Sequence, residues 1–87
     1  MKINKEFVLR EIAGDFVLVP IGKTAGEYNG LFPLTETAAV IWKMLPDVQT
    51  RDEITEKLLE DYDVDRATLE KDIDEFLDNL REFGIVD

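Results

Sequence analysis

The sequence predicts an α+β fold, a small three-stranded antiparallel sheet followed by three helices. Two observations carry this. Residues 7–34 are rich in β-branched and aromatic side chains, punctuated by Gly and Pro. Residues 35–83 place apolar side chains at helical spacing, and each run is preceded by a capping residue. At 87 residues the chain reads as one domain, 1–87, with strands within 7–34 and helices within 35–83. Its 45% apolar composition, including five Phe and one Trp, suffices for one core and argues against disorder.

The strands come first. Phe7-Val8-Leu9-Arg10-Glu11-Ile12 and Phe16-Val17-Leu18-Val19-Pro20 form a hairpin across Ala13-Gly14-Asp15, where Gly14 supplies the positive φ of a tight turn. Residues 22–30 hold three Gly and little apolar content, and read as a loop. Leu31-Phe32-Pro33-Leu34 is a short third strand, and Pro33, which has no N–H to donate, assigns it to a sheet edge.

The helices follow. Thr35 caps the first, whose buried side is Ala38, Ile41, Trp42 and Leu45, with Trp42 as a core anchor and Pro46 as the stop. Thr50-Arg51-Asp52-Glu53 has capping-box form and opens the second, with Ile54, Leu58 and Tyr62 facing inward. Asp65 caps a longer third helix, with Leu69, Ile73, Phe76, Leu77 and Leu80 on its apolar face. Gly84 stands where a left-handed residue would end it, with Ile85 placed to touch Leu80. Two short capped helices and a longer one beside a small sheet are the ingredients of a winged helix-turn-helix, a statement about fold and not about function.

Composition narrows the chemistry. There is no His and no Cys, hence no imidazole base, thiolate nucleophile, disulfide or usual zinc site. Residues 1–46 hold five acids and five bases, so the net charge of −10 falls entirely on residues 47–87. Such a half repels phosphate backbones and anionic membranes, which excludes nucleic acid and membrane surfaces as expected partners. No apolar run approaches the length of a membrane span and no targeting segment is evident, so a cytoplasmic protein is expected.

The candidate chemical motifs are incomplete. Asp61, Asp63 and Asp65 open like a calcium loop, but Arg66 takes the place of the required Gly and Asp72 that of the closing Glu. Asp65 is better read as a helix cap. Gly22-Lys23-Thr24 lacks the spaced glycines of a phosphate loop. No pair of carboxylates is singled out for acid–base work, so neither catalytic residue, metal nor cofactor is expected. What remains is recognition: a short edge strand beside a long amphipathic helix can accept an extended peptide as an added strand.

Several segments together carry a resemblance over essentially the whole chain. They are Val19-Pro20-Ile21-Gly22, Asn29-Gly30, Leu34 to Leu45, Tyr62-Asp63-Val64-Asp65, and Asp72 to Leu80 closing on Gly84-Ile85. In this order they resemble the PqqD family. The resemblance implies a non-catalytic module that binds the leader segment of a ribosomally made precursor peptide. The module would present it to a modifying enzyme, often a radical SAM enzyme. It also implies that the leader lies antiparallel to the third strand, in the cleft against the third helix. Carried onto this sequence, the peptide-binding residues are Gly30, Leu31, Phe32, Pro33 and Leu34 on the strand. On the helix they are Asp72, Phe76, Asn79, Leu80 and Phe83, with Leu80 shared with the core.

Where the family commonly shows Asn and Gly, this chain has Thr35 and Ala38. Pro33 also removes one donor from the docking strand. The acids of the third helix (Glu70, Asp72, Asp74, Glu75, Asp78, Glu82) imply a basic partner surface. A winged-helix DNA-binding regulator shares the fold order, but the last two helices offer it only Arg51, Lys57, Arg66, Lys71 and Arg81 among many acids. A small adaptor subunit of another enzyme is the remaining alternative.

Overall fold

In the computed structural model, which describes all 87 residues, the hairpin pairs β1 (Phe7–Ile12) with β2 (Asp15–Pro20). Their register runs from Phe7↔Pro20 to Ile12↔Asp15, leaving Ala13 and Gly14 as a two-residue turn. The third strand, β3 (Phe32–Leu34), pairs antiparallel with β2 as Phe16↔Leu34, Val17↔Pro33 and Leu18↔Phe32. The sheet order is β1-β2-β3, so β3 is an edge, as Pro33 requires. Leu31, assigned to this strand from sequence, lies outside it and is exposed.

One expectation fails between β2 and β3. Residues 22–30 are not all loop: Gly22–Ala25 form a single helical turn, α1. Helices are therefore not confined to 35–83. Thr24 explains the turn. Its side chain is buried, and its hydroxyl accepts the Glu6 N–H at 2.8 Å. This long-range bond leaves no trace in local composition. Beside it, Lys5 and Glu27 pair at 2.8 Å, and that hydrogen bond raises the Lys5 ammonium above its ordinary value.

The three expected helices are α2 (Glu36–Met44), α3 (Arg51–Asp61) and α4 (Arg66–Glu82), with a 3₁₀ turn at Leu45–Asp47 around Pro46. Each begins on its expected cap. Thr35 accepts from the Ala38 N–H, Thr50 from that of Glu53, and Asp65 from that of Thr68. The reciprocal half of the box at Thr50 is displaced by one residue, because the Glu53 carboxylate accepts from the Gln49 N–H. Tyr62 also departs from expectation. The helix ends at Asp61, the chain turns extended at Tyr62, and its ring is left exposed, while Thr55 takes the buried place.

The end of α4 closes as a Schellman motif. Gly84 has φ of +72°, its N–H reaches the Arg81 carbonyl, and the Ile85 N–H reaches that of Leu80 at 2.8 Å. The turn delivers Ile85 and Val86 into the core, where Val86 bridges Ile3 near the other terminus. The core is one cluster. Leu18 comes from the sheet, Ile41, Trp42, Leu45, Val48, Ile54 and Leu58 from the middle of the chain, and Leu69, Ile73, Leu77 and Leu80 from α4, joined by Ile85 and Val86. No helix is long and apolar enough to cross a membrane.

Candidate functional site

A groove runs between the free edge of β3 and α4. One wall follows from the hairpin parity. The Ile21 N–H donates to the Glu6 carbonyl at 2.9 Å. Backbone bonding alternates along an antiparallel pair, so within the β1–β2 register Val8/Val19, Arg10/Val17 and Ile12/Asp15 are the bonded pairs. Phe16 and Leu18 then turn their N–H and C=O groups toward β3. Pro33, opposite Val17, turns toward the open edge. The missing donor thus faces outward, and at that position the edge offers a carbonyl only.

The same alternation sets the side chains. Phe32 and Leu34 share the face of Leu18 and pack against the core, while Pro33 is exposed. Opposite them, α4 presents Asp72, Glu75, Phe76, Asn79, Leu80 and Phe83, which fall one helical turn apart along a single stripe. The groove has two connected parts. A larger part of about 440 Å³ lies at the Leu34 end, between Thr35, Thr37, Ala38 and Ile41 on one side and Asp72, Glu75, Phe76 and Asn79 on the other. A smaller part of about 280 Å³ lies at the Phe32 end, against Leu18, Phe76, Leu80 and Phe83.

Eight of the ten residues named from sequence meet here: Phe32, Pro33, Leu34, Asp72, Phe76, Asn79, Leu80 and Phe83. Gly30 and Leu31 do not line the groove. Leu80, 4% exposed, belongs to the core as well as to the groove floor. Glu75 was missed, although its spacing of three from Asp72 and four from Asn79 puts it on the same stripe. Thr37 and Ala38 had no such signal, since only the seating of α2 against β3 brings them in.

Tyr28 was also missed, being assigned to a loop. Its O–H donates to the Phe83 carbonyl, and its ring lies between Phe7, Phe32 and Phe83, with centroids 5.5, 5.7 and 6.4 Å away. Phe32 and Phe83 meet edge to face at 5.0 Å. This aromatic cluster ties the approach to β3 to the C-terminal end of α4 and closes the apolar end of the groove. It also gives Phe32 a packing role, so Phe32→Asp is expected to destabilise the domain as well as alter the groove. Phe83 shares the cluster but is 47% exposed and lies outside the core, so Phe83→Asp is expected to disturb the fold less.

The family model for coenzyme PQQ synthesis protein D (PqqD) matches residues 15–86. The chain belongs to the PqqD family. Two solved structures share the fold of this PqqD-family chain. One is described as TbiB1 in complex with the TbiA(beta) leader peptide; it is 28% identical, with a TM-score of 0.70 over 98% of this chain and 93% of that one. The other is a lasso peptide synthetase B1 complexed with the leader peptide; it is 24% identical, with a TM-score of 0.72 over 97% and 93%. At that identity the second speaks for the fold alone. No curated protein matches this PqqD-family chain.

Proposed function

We propose that this chain is a peptide-recognition module that binds the leader segment of a ribosomally made precursor. It docks the leader as an added strand on β3, with side chains held in the groove against α4. The observation that supports this reading most directly is the groove itself: an unpaired strand edge, an apolar floor and a helical wall along one line. Main-chain hydrogen bonds to the edge supply affinity for any extended segment, and the groove-facing side chains supply selectivity. The module performs no chemistry of its own in this reading. It acts in the cytoplasm and hands the leader to a modifying enzyme, which the family resemblance implies is a radical SAM enzyme.

Calorimetric titration of the chain with precursor peptides encoded beside its gene tests the proposal. Binding to one of them is expected, and Phe83→Asp is expected to weaken it about tenfold or more while the domain stays folded. The absence of binding to every leader that a neighbouring enzyme requires would overturn it.

A further inference from the structure

We infer that the groove selects a peptide in which a Lys or Arg stands two residues before a large apolar side chain. This rests on the docking reading above and adds the chemistry of the segment that docks. The two ends of the groove differ in kind. The Phe32 end is walled by Leu18, Phe32, Phe76, Leu80 and Phe83. The Leu34 end carries Asp72 and Glu75 on α4 facing Thr35 and Thr37, and no Lys or Arg lines either part.

Asp72 and Glu75 are not simply two acids among many. Along α4, Glu70 and Asp74 are held by Arg51, and Asp78 is held by Arg81 at 3.2 Å. Asp72 and Glu75 have no ion-pair partner. Of the four α4 carboxylates outside the groove, Glu70, Asp74 and Asp78 are ion-paired within the fold and only Glu82, at the helix end, is not. The two lining the groove are left for an external cation. Next to them, Leu34 and Phe76, both only partly buried, provide apolar surface for the methylene stem of a long basic side chain.

Strand geometry sets spacing and order. Antiparallel addition continues the pattern of this sheet and is the more stable pairing. Peptide residues opposite Leu34 and Phe32 then project to the same face as those two, into the groove. They lie two residues apart, about 6.8 Å along a strand. The two parts of the groove are offset by one turn of α4, about 6 Å for four residues. Running against β3, the peptide reaches Leu34 first, so the basic residue precedes the apolar one. Because both carboxylates are exposed, the basic residue contributes roughly 1.5- to fivefold in affinity at low salt.

A displayed library of random nonapeptides, selected against the full chain at low salt, tests this. Enriched peptides are expected to share Lys or Arg two positions before Phe, Tyr, Leu or Met. Selection on the Asp72→Asn, Glu75→Gln double variant should keep the apolar position and lose the basic one. Thermal melting of the double variant checks that both targets are folded. An apolar anchor with no basic preference, or a basic preference unchanged in the double variant, overturns the inference and leaves the docking reading standing. No enrichment at all, or enrichment that Phe83→Asp does not diminish, overturns the docking reading and this inference together.

Discussion

Ala13 holds φ at +53° beside Gly14 at +86°, the pair of left-handed conformations that a two-residue hairpin turn demands. Gly14 adopts this freely. Ala13 does so against the clash of its Cβ with the neighbouring carbonyl, which costs about 1 kcal/mol. Ala13→Asn is therefore expected to raise stability by roughly 0.5–1 kcal/mol, read as a higher urea midpoint at unchanged slope. Pro33 is the second residue whose backbone decides something. Its nitrogen faces the open edge, so Pro33→Ala restores one donor to the docking strand. A bound leader should gain about two- to tenfold in affinity, from roughly 0.5–1.5 kcal/mol for the added hydrogen bond. The same substitution relaxes φ in the unfolded chain and should lower stability by about 0.4–1 kcal/mol. Affinity and stability moving in opposite directions, by calorimetry and urea unfolding, would separate the edge role from a packing role.

The joint between α3 and α4 turns on Arg51. It sits in the first turn of α3, where the helix dipole disfavours a cation. It stays because its guanidinium reaches Glu70 and Asp74 on α4, and Asp52 beside it. Those partners are partly exposed, so the cluster is worth little more than a surface network. Arg51→Gln is expected to lower stability by about 0.5–1 kcal/mol at low salt, with most of the difference gone near 1 M NaCl. An equal loss at both salt concentrations would show that Arg51 acts through its packed stem. The consequence for the site is positional: α3 braces one side of α4, and the groove lies on the other.

The net charge of −10 acts at the scale of the whole molecule. Residues 47–87 carry fifteen acids and five bases on helices folded against one another. Surface pairs recover little, while the like charges repel across a domain only 38 × 30 × 19 Å in extent. Screening this repulsion should raise the thermal midpoint by a few degrees between about 20 and 200 mM NaCl, since about 1 kcal/mol moves a domain of this size by roughly 4–8 °C. A midpoint that falls with salt would mean that the ion pairs outweigh the repulsion.

The elements and their ends were legible in the sequence because they depend on neighbours in the chain. Thr35, Thr50 and Asp65 cap the turns that follow them, Gly84 ends α4, and Pro33 marks an edge, each within five residues of what it acts on. The α4 wall of the groove, Asp72 to Phe83, came from the family resemblance, and helical period explains why those residues share one stripe. What depended on distant partners was not legible. The α1 turn forms because Thr24 reaches Glu6, Tyr28 joins the aromatic cluster beside the groove because it reaches Phe83, and Tyr62 is exposed because the chain leaves the helix there. The count of ten excess acids was likewise plain from composition. Only the packed structure separates the carboxylates neutralised by Arg51 and Arg81 from Asp72 and Glu75, because pairing requires two side chains brought together by folding.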